Sequence, residues 1–171
     1  MLGSLRPDFQ YHRIQDIKIE DLTSQGIKGL LLDLDNTITP WNDRTVTPEV
    51  INWFKKVKEA GLRACIVSNN TLPDRVSAVA DILDIMYVYN AAKPSKKAFQ
   101  MSLDTLGLKS SEVVVIGDQI FTDVFGANRL KIKTVLVSPI DQREFAGTKI
   151  LRLMERLVGR KVRYTRDYLE K

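Results

Sequence analysis

Two carboxylates spaced two apart, Asp33 and Asp35, close a short apolar run, Leu30-Leu31-Leu32, and are followed by a turn-like Asn36-Thr37. The pattern reads as a buried strand that delivers acid groups at its carboxyl end. Side chains in a strand repeat every two residues, so both carboxylates can leave on one side if the chain stays extended past the sheet. Two desolvated carboxylates repel, and a positive group between them, a metal ion or a phosphoryl group with its metal, would relieve the repulsion. The plainer alternative is a pair of helix caps or a solvated turn after a core strand.

Polar residues recur at the ends of later apolar runs. Ser68 and Asn69 end the second, Lys93 lies in the loop after the third, and Asp118 follows Gly117 after the fourth, with Asp123 five residues on. Carboxylates, one hydroxyl and one lysine suit a hard, oxygen-ligated cation such as Mg²⁺ together with a phosphate. In that chemistry Asp33 attacks phosphorus, and Asp35 gives a proton to the departing alkoxide and takes one from water. Ser68 and Lys93 hold the transferring oxygens, and Asp118 shares the metal with Asp33. Phosphate-monoester hydrolysis can require acceleration of order 10²¹, about 29 kcal/mol. General acid–base action supplies roughly 10² to 10⁴, so positioning and the charge of the metal and Lys93 must supply most of the rest. Taken singly, Lys93 could be a solvated loop lysine, Ser68 or Thr122 a helix cap, and Asp118 a turn acid. Their occurrence in order at the ends of separate elements argues against that reading.

The elements that would position these groups alternate along the chain. Thr47-Pro48-Glu49 starts a helix with a capping residue, a proline at the first helical position and an acid in the first turn, and Gly61 closes it. Strands are expected at residues 29–32, 62–67, 85–89, 113–116 and 134–137. Helices are expected at 73–83 and 96–106, from near Thr122, and at 143–158. Continuous β-branched runs alternating with amphipathic helices mean a parallel sheet covered on both faces. The expectation is a single doubly wound, Rossmann-like α/β domain over residues 27–158. Residues 1–26 form a lead-in segment with one short helix, and residues 159–171 a basic tail.

Composition narrows the function. The chain has 171 residues and a net charge of +5. Lys149 to Lys171 hold eight basic and three acidic residues, so the whole excess belongs to the C-terminal stretch. No apolar run approaches the roughly 18 residues that span a bilayer, and the N-terminus lacks a signal-peptide core. A cytoplasmic location with peripheral contact to an anionic membrane is expected. Cys65 has no second cysteine to pair with and reads as a buried structural thiol. His12, the only histidine, lies outside every motif, which argues against His-based catalysis. No basic platform interleaved with aromatics is present for stacking bases, so nucleic acid ranks below lipid as a partner.

The motifs DLDNT, VSN, AKP and GDQIFTD, in this order over residues 27–140, resemble the four motifs of the haloacid dehalogenase superfamily of phosphatases. The resemblance implies that Asp33 is the nucleophile and Asp35 the acid and base. It makes Ser68, with Asn69 beside it, and Lys93 the phosphate holders. Mg²⁺ ligands would be Asp33, Asp118 and the backbone carbonyl of Asp35, with Thr37 and Asp123 in support. Short connections after the first motif and before Lys93 leave no room for the cap domain that many members insert. The chain is therefore most similar to the capless subclass IIIA and its YqeG-like group, itself similar to phosphatidylglycerophosphate phosphatases. The expected function is a Mg²⁺-dependent phosphomonoesterase, with phosphatidylglycerophosphate as the substrate that subgroup implies. The alternatives are a phosphatase of soluble nucleotides, sugar phosphates or phosphoproteins, and a catalytically idle phosphate-sensing module. The last has no need for both Asp33 and Asp35.

Overall fold

The computed structural model of the protein describes residues 5–141. Its strands are β1 (Phe9–Tyr11), β2 (Gly29–Leu32), β3 (Arg63–Val67), β4 (Met86–Val88), β5 (Val113–Gly117) and β6 (Lys133–Val137). They form one wholly parallel sheet in the order β1-β6-β5-β2-β3-β4. Every residue of β2 is buried, with Leu30 and Leu32 in one core and Leu31 in the other. That alternation is what a central strand covered on both faces requires.

One face carries α1 (Ile19–Ser24), α2 (Pro48–Glu59) and α3 (Pro73–Leu83), whose apolar stripes meet Leu30, Leu32 and Ile66. The other carries α4 (Lys96–Leu106) and α5 (Phe125–Asn128), which cover Leu31, Cys65 and Val115. The helix ends follow their local chemistry. Thr47 accepts a hydrogen bond from the Val50 N–H at the start of α2, and Ser95 accepts one from Lys97 at the start of α4. Gly107 ends α4 at φ +64°, a backbone conformation that glycine adopts without steric cost.

From β2 the chain winds outward through β3 and β4, returns to β5 on the other side of β2, and goes on to β6. Winding direction reverses between β2 and β5, and in such sheets ligands bind beyond the carboxyl ends of the strands at that point. The connections there are short. Among the described residues no cap domain interrupts the chain between β2 and α2 or between β4 and α4.

Two elements differ from expectation. Phe9–Tyr11, within the segment read as a lead-in, is the outer strand of the sheet and pairs with β6. Three residues pairing with a partner more than a hundred positions away leave little local signal. The helical segment expected to start near Thr122 begins instead with a wide turn over Ile120–Val124, where the Val124 N–H reaches back to the Gln119 carbonyl. Such π-type turns recur at functional sites. The expected helix at 143–158 and the basic tail lie outside the described residues.

Candidate active site

The pairing of β2 with β5 continues one residue past the strand, because the Asp33 N–H donates to the Ile116 carbonyl at 2.9 Å. This sets Asp33 beside the end of β5, where Gly117 is the last paired residue and Asp118 follows it. Lys93 reaches the same place from the loop after β4. Its Nζ lies 2.6 Å from Asp33 Oδ1 and 2.8 Å from Asp123 Oδ1, and all three side chains are buried. Asp118 is also buried, and Thr37 Oγ1 donates to its Oδ1 at 3.5 Å. One carboxylate oxygen from each of Asp33, Asp118 and Asp123 lies within 4.8 Å of the other two.

Neighbouring groups hold this cluster in place. The Asn69 side chain clamps the backbone of Lys93, accepting from its N–H at 2.6 Å and donating to its carbonyl at 3.1 Å. The Gln119 N–H donates to Asp123 Oδ2 at 3.2 Å. Ser68 is buried at the end of β3, and its Oγ accepts from the Asn70 N–H at 3.1 Å. The cap reading of Ser68 does not hold, since α3 starts after Leu72 without a side-chain cap. Nor is Lys93 a solvated loop lysine, with a side chain only 3% exposed.

Electrostatics follow from burial. Desolvation pushes the Asp33 carboxyl up to about 6, although the Lys93 charge pulls it down, and Asp123 adds to the rise. Burial works against the charge on Lys93, yet Asp123 and Asp33 together hold its pKa above the ordinary lysine value. Three buried carboxylates against one ammonium leave two negative charges, with oxygen donors only. A hard divalent cation such as Mg²⁺ fits that charge and donor type.

Asp35 has a different partner. The Arg75 guanidinium binds it in a bidentate fork, Nη1 to Oδ2 at 2.9 Å and Nη2 to Oδ1 at 2.7 Å, and the Asn42 N–H donates to Oδ1 at 2.9 Å. Asn36, at φ +63°, turns the chain just after it. Asp33 and Asp35 therefore do not share one cation through their side chains. Lys93, which precedes α4, neutralises the first, and Arg75 of α3, on the opposite face of the sheet, neutralises the second. Arg75 was missed in the sequence because arginine is usually exposed. A signal was present, since Arg75, Val79 and Leu83 recur at helical spacing, which puts the arginine in line with the apolar stripe. Cys65 is fully buried, and its thiol is pushed up to about 12 by desolvation, in keeping with a structural role.

The chain is similar to known proteins in sequence and in fold. A family model described as haloacid dehalogenase-like hydrolase matches residues 9–131. The chain is 40% identical over 152 residues to a Bacillus subtilis protein named probable phosphatase YqeG, covering 89% of this chain and 88% of that one. It is 27% identical over 168 residues to phosphatidylglycerophosphate phosphatase 1, chloroplastic/mitochondrial, of Arabidopsis thaliana, covering 92% of this chain but only 48% of the relative. Among solved structures, an uncharacterized protein from Listeria monocytogenes serotype 4b superposes with a TM-score of 0.55 at 18% identity, covering 78% of this chain and 99% of that one, which shows the shared fold. With a family match that runs from the outer strand β1 to beyond Asp123, this chain belongs to the haloacid dehalogenase-like hydrolase family.

Proposed function

We propose that this protein is a Mg²⁺-dependent phosphomonoesterase that works through an aspartyl phosphate on Asp33. The observation that carries the reading is the setting of Asp33, which is buried at the reversal of the sheet, bonded to Lys93 and grouped with two further carboxylates. An Asp33 oxygen bonds to phosphorus as the ester P–O bond breaks, and Asp35 gives its proton to the departing alkoxide. Water then attacks the same phosphorus, its proton passes to Asp35, and inorganic phosphate leaves with Asp33 restored. Lys93 and Ser68 hold the transferring oxygens, while Asn69 acts at one remove by fixing the Lys93 backbone. Asp33, Asp118 and the Asp35 carbonyl would hold Mg²⁺, which supplies the positive charge that lets an anionic ester approach a carboxylate.

For the substrate we favour the head group of phosphatidylglycerophosphate. Support comes from the name of the Arabidopsis relative and from the rim of the site. Leu72, Tyr89 and Ile140 are 61%, 45% and 48% exposed, and they follow the carboxyl ends of β3, β4 and β6, the edge of the sheet that carries Asp33. Without a cap, something else must exclude water from the reaction, and a bilayer surface presenting the lipid phosphate can do so. No helix among the described residues is long and apolar enough to cross a membrane. In this reading the enzyme is cytoplasmic and meets the bilayer from its surface.

The test is turnover of a panel of phosphate esters by the purified protein with Mg²⁺, including phosphatidylglycerophosphate in mixed micelles. The lipid is expected to be the best substrate, with activity lost in excess chelator and restored by Mg²⁺. Full activity in chelator would remove the metal from the mechanism. Turnover confined to soluble esters would overturn the lipid substrate, and no turnover of any ester would overturn the phosphatase reading.

A further inference from the structure

Among the described residues, Arg75 is the one buried cation that the reaction as written leaves without a task. Its side chain is 3% exposed, although it belongs to the first turn of a helix on the outside of the sheet. Burying a guanidinium is costly unless its hydrogen bonds are met. Those bonds point to two places. Nη1 and Nη2 grip both oxygens of Asp35, and Nη2 also donates to the Asp43 carbonyl at 2.9 Å and to Thr39 Oγ1 at 3.5 Å. Thr39 and Asp43 belong to the flap over residues 38–46. The flap is ordered from within, as one Asp43 carboxylate oxygen accepts from Arg44 N, Thr45 N and Thr45 Oγ1. It also touches the same carboxylate, through the Asn42 N–H bond to Asp35 Oδ1. Arg75 Nε is buried without a hydrogen-bond partner, and the hydrogen bonds of Nη1 and Nη2 go to Asp35 and the flap.

We propose that Arg75 is the positioning residue of the proton-transfer step: its fork fixes the Asp35 carboxylate and, through Thr39 and the Asp43 carbonyl, ties that carboxylate to the seating of the flap. Planarity makes arginine suited to this task, because one rigid group can span two carboxylate oxygens and a carbonyl, whereas the single ammonium of lysine cannot. The inference rests on Asp35 being the acid and base of the proposed reaction.

Because the role is exercised through Asp35, it has a signature that a general structural role lacks. Proton donation matters for a poor leaving group such as an alkoxide and little for 2,4-dinitrophenolate, which departs as the anion. The value of kcat/KM reports the steps up to departure of the alcohol. With the Mg²⁺-loaded full-length protein, Arg75→Met should lower kcat/KM for an alkyl phosphate about 10²-fold more than for 2,4-dinitrophenyl phosphate, the lower end of what acid–base action supplies. In an Asp35→Asn background the same substitution should change alkyl phosphate turnover less than about 3-fold, since the partner through which it acts is gone. Arg75→Lys, which keeps a buried charge, should show the same selectivity to a smaller degree, and it serves if Arg75→Met does not fold. Equal loss on both esters in a folded Arg75 variant, additive loss in the double variant, or wild-type selectivity in Arg75→Lys would overturn the proposal. The underlying reading fails separately: if Asp35→Asn itself shows no dependence on the leaving group, the acid role of Asp35 falls. If Asp35→Asn shows it and the Arg75 variants do not, only the role of Arg75 falls.

Discussion

Gly117 and Asp123 pack so closely that a Cβ atom on the glycine would overlap the Asp123 carboxyl group. The strand must end in the smallest residue because the wide turn over Ile120–Val124 folds Asp123 back onto the end of β5, where Lys93 meets it. Gly117→Ala should therefore push Asp123 off Lys93. Overpacking of this kind costs about 1–3 kcal/mol. The expected result is a loss of that size in urea unfolding together with at least tenfold lower kcat. Unchanged kcat in the folded variant would show that the Asp123–Lys93 bond is dispensable.

Asp33→Asn should abolish turnover without unfolding the protein. The amide cannot form the aspartyl phosphate, and its removal deletes a buried charge while Lys93 keeps Asp123 as a partner. Thermal unfolding should stay within a few degrees of wild type in chelator. Substantial residual phosphatase activity in the purified variant would exclude a covalent route through Asp33.

Much of this arrangement is legible in the sequence where the signal is local. The limits of α3 and α4 follow from Pro73, the Ser95 cap and Gly107, and Asp33, Lys93, Asp118 and Asp123 converge as their positions at strand ends imply. What was not legible depends on partners distant in sequence. β1 exists because β6 offers it an edge. Trp53 is buried with its Nε1–H donating to the Ile17 carbonyl at 3.0 Å, a contact that periodicity in α2 does not contain. Arg75 is buried where Asp35, forty positions earlier, supplies the opposite charge and the Asp43 carbonyl a further acceptor. The expectation that one cation sits between Asp33 and Asp35 fails because two buried cations from opposite faces of the sheet divide them, Arg75 taking both oxygens of Asp35 and Lys93 taking Asp33.

Lys93→Met should destabilise the metal-free protein by about 3–5 kcal/mol, the usual cost of leaving one partner of a buried pair uncompensated. Here two carboxylates, Asp33 and Asp123, would lose their shared cation. Mg²⁺ should restore part of the loss, because a dication offsets the same charges. Urea unfolding in chelator and in Mg²⁺ measures both effects. A loss below about 1 kcal/mol in chelator would mean that the cluster relaxes and takes in water.

The raised pKa of Asp33 links metal binding to pH. A folded-state value of about 6 lies above the 3.8 of an ordinary aspartate, because burial disfavours the charged form. Its contribution to stability is therefore complete below about 4 and is lost as pH rises through about 6 in the metal-free protein. At the proposed Mg²⁺ site protons would compete with the cation for the Asp33 carboxylate below about 6, and above it the ionised carboxylate would be available to the cation. The rise in melting temperature produced by a fixed Mg²⁺ concentration should be small at pH 5 and larger at pH 7.5. A rise independent of pH would mean that Asp33 is not a ligand.

The C-terminal charge bears on the kind of substrate. In the sequence, Ile150, Leu153, Met154, Leu157 and Val158 fall at helical spacing opposite Lys149, Arg152, Arg156 and Arg160, with Lys161, Arg163 and Arg166 following. Near an anionic bilayer each Lys or Arg contributes about 1 kcal/mol, so four of them suffice for reversible docking that salt weakens. Replacing Arg160, Lys161, Arg163 and Arg166 with glutamine should lower turnover of phosphatidylglycerophosphate in anionic vesicles several-fold at low salt, with little change for a small soluble phosphate ester. Equal loss on both substrates would assign these charges to folding. Unchanged turnover on vesicles would remove the C-terminal charge as a reason for placing the enzyme at a membrane.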